Sequence, residues 1–391
     1  MQIAEPSAEE GAFNRDAYTC VRDLAILQQW LARAKARGEI GLDTEADAHD
    51  AARANLVGVA IALGPNDACY VPLAHASADT RAGELFASEE SPAPTIADAG
   101  AQIPLADAIA ALKPVLEDAS VLKTGLNVKW DVAMFAKHGI AVAPIDDPML
   151  MSYALYGGLD SHEKIDLIEK HLGHNLTQRA DVVGKGKTQV SFDQVPVERA
   201  SGFACEHADA ALRLARKLKP QLARDRLINV YETLERPMPP VLAAMEREGI
   251  KIDPALLSKM SGEFETRMAQ YERDAYGLAG REFNIGSPKQ LGDILFGEMK
   301  LEGGSKTKTG AWSTDASILE ELALEHDLPR KVLDWRQLSK LRSTYTEALG
   351  QAINPKTNRV HTSYALASTT TGRLSSNDPN LQNIPIRTEE G

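Results

Sequence analysis

Cysteine is scarce in this chain. Cys20, Cys69 and Cys205 are its only three thiols among 391 residues and no two form a CxxC pair, which excludes a zinc ribbon and makes a disulfide framework a poor reading. Cys205 sits in Ala-rich helical text and reads as a packed core residue rather than a reactive thiol. No run of 18 apolar residues occurs, so no membrane-spanning helix is expected. The opening text MQIAEPSAEEGAFNRD has no apolar h-region of the kind a secretory signal needs. These absences predict a cytoplasmic protein with no membrane partner. Basic charge is scarce too, the formal net charge being −12, except over residues 330–376, where eight basic residues meet only two acidic ones. From charge alone that stretch suits phosphate neutralisation and a solvated helix face equally.

What remains is ordinary globular composition, 43% hydrophobic and 25% charged, which argues against fibre and disorder. A chain of 391 residues implies two or three domains. Leu24 to Arg37 spaces its apolar residues helically and stops at Gly38. EIGLD, NLVGVAIALG and ACYVPLA read as strands, the last two joined by a tight turn at Pro65-Asn66-Asp67. Helix and strand text then alternate from Pro104 onward, which predicts a mixed α/β sheet up to about residue 222. A long amphipathic helix after Pro196 leads to Arg236 to Pro240, where three prolines in four positions must break or kink a helix. A domain border is expected near residues 222–240. Beyond it the text is mainly helical, interrupted by a Gly/Lys/Thr-rich loop from Glu302 to Thr314, and from Asn354 it turns polar and turn-rich. The abrupt stop there reads as truncation.

Two patterns carry chemistry. In GLDTEAD, Asp43 and Glu45 lie two apart on a strand, so both carboxylates emerge on one face. Neighbouring acids repel unless a cation separates them, and hard divalent ions prefer carboxylate oxygen. In LKTGLNVKWD, Asp131 opens a helix after an apolar strand. Alone it complements a helix dipole; beside Asp43 and Glu45 it becomes a third oxygen ligand. Three carboxylates, two from a strand and one from a helix start, suggest a two-metal site acting on a phosphodiester.

D-T-E after a strand, followed about 85 residues later by N-x-K-x-D, resembles the first two motifs of the 3′–5′ proofreading exonuclease of bacterial DNA polymerase I, family A. NLVG, YVPLAH, GKGK, QLGDILF, KTKTG, STYT, NPKTNRVHTSY and TGRLSSNDPNLQNIPIRTEEG extend the resemblance to this family's large, Klenow-type fragment over nearly the whole chain. It implies a lead at 1–22, a ribonuclease H-like exonuclease domain at 23–222, a mainly helical thumb at 223–350 and the start of the palm at 351–391. It implies that Asp43, Glu45 and Asp131 hold two Mg²⁺ or Mn²⁺ ions if the site is intact. Asn127 and Trp130 would lie near a single-stranded 3′ end, and Leu56 would either wedge beside the terminal base or serve the core.

The third exonuclease motif departs from the family. Where the family shows Tyr-x-x-x-Asp on a helix, this chain has Phe203 and His207. Residues four apart share a helix face, whereas Glu206 and Asp209 lie about 100° and 200° around from His207 and are not substitutes. Mg²⁺ prefers oxygen to imidazole nitrogen, so a strongly weakened exonuclease is expected. A second departure puts Ile165 where the family usually has an acid, with Asp166 one place on; a compensating register change and simple decay both remain open.

By the same resemblance Lys289, Lys306, Lys308, Lys340 and Arg342 are thumb contacts to primer-template phosphates. Arg373 would enter the minor groove near the primer terminus, with Asn380, Gln382 and Asn383 close by. The family's palm aspartates and fingers fall after Gly391, so no polymerase activity is expected from this chain alone; its 5′ nuclease falls before Met1. A monomer is expected. The alternatives are a non-catalytic DNA-binding module and one half of a split polymerase whose second chain supplies palm and fingers.

Overall fold

A computed structural model describes residues 11–76, 100–386 and 388–391. They form two compact units, one of residues up to Glu248 together with 363–377, the other of Gly249–Thr362 and Asp378–Gly391.

The first unit is built on a six-stranded mixed sheet. It begins with β1 (Thr19–Cys20), too short for any periodic signal in the sequence, and α1 (Leu24–Arg37). Asp23 caps α1 by accepting the amides of Ala25 and Ile26, and Gly38 ends it at φ 74°, a left-handed terminus that suits glycine. Strands β2 (Glu39–Ala46), β3 (Leu56–Gly64) and β4 (Asp67–Pro72) follow. Then come α2 (Leu105–Leu116), β5 (Leu122–Thr124), α3 (Val128–Ala136), β6 (Ile145–Asp146) and α4 (Pro148–Tyr156). The strand order is β1-β4-β3-β2-β5-β6; β2 runs antiparallel to β3 and parallel to β5. This is the mixed α/β sheet that the three leading strands and the later alternation predict.

Period two in β3 divides the core. Val59, Ile61 and Leu63 pack with α1, α2 and α3, while Ala60 and Ala62 face the opposite layer. That layer holds α5 (Lys164–Leu172), α6 (Arg179–Val183) and the 28-residue α7 (Val197–Arg224). A short α8 (Ile228–Val230) runs into a π-turn over Tyr231–Glu235, and α9 (Met238–Glu248) follows. The proline cluster is absorbed by this change of pitch, with Pro239 and Pro240 inside the first turn of α9, where a missing amide is harmless.

The second unit is mainly helical. Its α10 (Pro254–Ala279), capped by Asp253, packs against α13 (Asp327–Leu341), with α11 (Pro288–Gly292), α12 (Ala316–Leu322) and α14 (Ala348–Gln351) completing it. A two-stranded ribbon, β7 (Ile353–Asn354) with β8 (Arg359–Val360), closes it. The chain then returns to the first unit, where β9 (Ser363–Ala365) and β10 (Ser375–Asn377) pair antiparallel.

Candidate functional site

The site is assembled on β2. Asp43 stands opposite Ala60 in the β3 register and Glu45 opposite Gly58, so both carboxylates fall on the face covered by α7. That helix comes unusually close: a Cβ on Gly41 would lie 2.1 Å from the Ala208 carbonyl oxygen. Only glycine permits this approach, and it draws the stretch bearing Phe203 and His207 against β2.

Asp131 comes from the first turn of α3. Gly125 clears its place, since a Cβ there would meet Asp131 Oδ2 at 2.8 Å. Asn127, which precedes α3, is left-handed at φ 64° and makes no side-chain cap. Asp147 does that work instead, its buried carboxylate accepting the Asn127 and Val128 amides at 3.3 and 3.0 Å while also capping α4 through the Met149 amide at 2.9 Å. One carboxylate thus fixes two helix starts. Thr44, between the two β2 acids, donates Oγ1–H to Asp131 Oδ1 at 2.7 Å, and Trp130 donates its indole N–H to the Thr44 carbonyl at 3.3 Å.

Asp43, Glu45 and Asp131 are 8%, 4% and 3% exposed. Burial, then repulsion from Glu45, holds the Asp43 carboxyl well above the usual range. Glu45 is also raised by burial, against the opposing pull of Arg179. Asp131 is pushed up to about 7, again by burial. Asp43 Oδ2 is buried without a hydrogen-bond partner. So crowded a set of acids calls for positive charge.

The chain supplies that charge itself. Arg179, the first residue of α6, places Nη1 2.5 Å from Glu45 Oε2 and donates Nη2–H to the Ala46 carbonyl at 2.7 Å. Its guanidinium lies 4.7 Å from the centre of the buried Phe192 ring. Lys164, first in α5, adds a field that favours ionisation at all three acids. Neither residue was found from the sequence, because neither belongs to a spaced pattern with the acids.

Phe203 and His207 do reach this layer. Phe203 is buried beside Phe192, and its ring centre is 4.2 Å from that of His207. His207 donates Nε2–H to the Thr177 carbonyl at 2.9 Å, while its buried Nδ1 has no partner. Burial lowers its pKa to about 3, so the ring is neutral. The flanking acids are engaged elsewhere: Glu206 accepts from Arg15, His174 and Thr177, and Asp209 from Arg213 and Tyr18. At the second departure Ile165 is half-buried, and exposed Asp166 accepts from the Ser161 hydroxyl instead of joining the cluster.

These residues do not fit a pair of divalent ions. One of the three acids is neutralised by a guanidinium, the fourth position is a neutral ring, and among the described residues no group of three or more His, Cys, Asp or Glu side chains is arranged to hold a metal.

The remaining expected DNA contacts are scattered. Asn127 is exposed and Trp130 half-buried at the opening of α3. Leu56 is 2% exposed within the apolar core, and its packing supports the core role over the wedge. Arg373 is exposed in the first unit. In the second unit Lys289, Lys308 and Lys340 are exposed and make no ion pair among the described residues, and Lys306 lies over the Trp312 ring at 4.9 Å. Arg342 is already paired, with Glu265 at 3.2 Å and Glu347 at 3.0 Å. Asn380 Oδ1 accepts the Gln382 and Asn383 amides, folding these three polar residues into one turn.

A family described as 3′-5′ exonuclease matches residues 18–223, and one described as DNA polymerase family A matches residues 254–391. The chain is 51% identical to DNA polymerase I of Rhizobium leguminosarum over 402 residues, covering 100% of this chain and 38% of that protein. It is 42% identical to DNA polymerase I of Pseudomonas aeruginosa, covering 96% and 39%. It therefore spans about two fifths of the length of these relatives. Among solved structures, the POL domain of Pol1 from M. smegmatis, in complex with DNA primer-template and dNTP, superposes with a TM-score of 0.74 at 27% identity, over 95% of this chain and 57% of that one.

Proposed function

The chain belongs to the bacterial DNA polymerase I family, family A, and from that premise we propose that it holds DNA in two ways while hydrolysing it poorly. The exonuclease domain receives a single-stranded 3′ end at the β2–α3 cleft, and the helical unit grips primer-template duplex through exposed lysines. Family exonuclease and polymerase domains use divalent metal ions, which in an intact exonuclease site supply an activated water and charge neutralisation at the scissile phosphodiester. The cleft is poorly equipped for that chemistry, because Arg179 sits on Glu45 and His207 stands where a carboxylate is needed.

The chain's own groups do the rest. Asn127 and Trp130 flank the opening of α3, where a terminal base can stack on indole and a phosphate can meet exposed polar groups. Lys289, Lys306 and Lys308 neutralise duplex phosphates, which positions DNA without reading its sequence. The proposal is carried by one observation: Phe203 and His207 occupy the helix face that must complete the acidic site, and neither brings a hydroxyl or a carboxylate.

A gel shift with primed template, run beside a 3′-end-labelled single strand in Mg²⁺, tests it. Binding with trimming slower than an intact relative by about a hundredfold or more is expected, the size of a lost proton-transfer or charge-stabilising group. Trimming at the relative's rate sinks the weakened-exonuclease reading. Binding failure sinks the DNA-gripping one.

A further inference from the structure

We propose that Arg179 is a built-in cation which takes the place of a metal at Glu45, so that the acidic site folds and stays assembled without divalent ions. This rests on the family reading of the cleft but is separable from it, since it concerns what neutralises the acids rather than what the cleft binds.

Three observations fix the guanidinium there. It meets Glu45 Oε2 at 2.5 Å, it bonds the Ala46 carbonyl at 2.7 Å, and it lies against Phe192 at 4.7 Å. The first is the charge pairing; the other two restrict the side chain to one pose. The backbone agrees, for Arg179 opens α6 and that turn is held by a reciprocal capping box between Gln178 and Asp181. The β2 strand also breaks register between Glu45 and Ala46, which turns the Ala46 carbonyl toward the arginine. A planar fork held at two acceptors and one ring face is the arrangement in which arginine is not replaceable by a solvated ion.

Charge counting points the same way. Arg179 pairs with Glu45, and Lys164 acts on Asp43, Glu45 and Asp131 alike, so these five groups carry at most one net negative charge, whereas a pair of divalent ions would bring four positive ones. The imidazole of His207 adds none.

The test is Mn²⁺ binding to the full chain by electron paramagnetic resonance, with thermal unfolding followed in EDTA and in Mn²⁺. The expected results are an unfolding midpoint for the unaltered chain that is the same in both, a Mn²⁺ affinity at least about tenfold higher in Arg179→Gln, and a midpoint for that variant that rises in Mn²⁺. Arg179→Lys, which keeps the charge, should behave nearer the unaltered chain. If the Arg179→Gln variant does not fold, the unaltered chain and Glu45→Gln together still decide: a Mn²⁺-induced rise in the unaltered chain's midpoint that Glu45→Gln abolishes overturns the proposal. So does equal Mn²⁺ affinity with and without Arg179. Efficient trimming by the unaltered chain would instead strike the weakened-exonuclease reading, a separate outcome.

Discussion

Lys129 and Glu246 form an ion pair in which the two side chains are only 7% and 9% exposed. Lys129 lies two residues before Asp131 on α3, and Glu246 is on α9, where its Oε1 also accepts the Tyr364 amide at 2.6 Å. One carboxylate therefore ties the helix bearing Asp131 to strand β9. Removing one partner strands a buried charge, so Lys129→Met should destabilise the first unit by about 3–5 kcal/mol. Lys129→Met with Glu246→Leu should recover much of that loss, short of the cost of an unpaired Tyr364 amide, about 1–3 kcal/mol. Urea unfolding of the two single variants and the double gives the coupling; additive losses would show that the pair does not act as a unit.

Asp43, Glu45 and Asp131 were readable in the sequence because strand alternation and helix-start position say where a side chain goes before the fold is known. Phe203 and His207 were readable for a similar reason, four residues being one helical turn. Arg179 was not, because its route to Glu45 depends on how α6 meets the end of β2, a contact across 134 residues. Asp147 was missed likewise: it looks like an ordinary cap for α4, and only the fold shows it capping α3 as well. The sheet's antiparallel-then-parallel pattern followed from the spacing of apolar runs, whereas β1, two residues long, offered no period to detect. The return of residues 363–377 to the first unit had no local signal, since it is made by partners such as Tyr153, whose hydroxyl donates to the Thr369 carbonyl at 2.7 Å.

The basic residues of the helical unit should not contribute equally to duplex binding. Lys308→Ala or Lys340→Ala should each weaken binding of every sequence alike and lower the slope of log affinity against log salt by about 0.9, the value for one phosphate contact. Arg342→Ala should lower the slope less, because its guanidinium is already held by Glu265 and Glu347. Salt titrations followed by fluorescence anisotropy make the comparison. A larger slope change for Arg342 than for Lys308 would mean its ion pairs open on DNA.

Restoring the helix-face groups tests the other domain. Phe203→Tyr with His207→Asp returns a hydroxyl and a carboxylate one turn apart on α7. Trimming of a 3′-end-labelled single strand in Mg²⁺ should rise, and should rise further when Arg179→Gln is added, because Glu45 is then released. Should the double variant alone reach the rate of an intact relative, Arg179 would be no obstacle to metal binding.

His75 supplies a pH test away from the acidic cleft. It is buried, with Nδ1 donating to the Val195 carbonyl at 3.0 Å and Nε2 2.8 Å from the Tyr70 hydroxyl. The first bond puts the proton on Nδ1, so the tyrosine donates to Nε2 and the ring is neutral. Burial lowers its pKa to about 4 from an ordinary 6.5. The unfolded chain therefore binds a proton that the folded one resists between these values. The stability that His75 secures is fully present above pH 6.5 and is lost as pH falls toward 4. Between pH 7 and pH 5 the loss from this residue is about 2 kcal/mol. Other buried groups titrate in the same window, with Asp131 and Asp147 shifted the opposite way, so the quantity to measure is a difference. Unfolding free energies of the unaltered chain and of His75→Gln, taken at both pH values, should converge on acidification by that amount. A constant gap would mean that the ring takes up its proton at the same pH folded as unfolded, which its burial and the hydrogen bond it accepts from Tyr70 oppose.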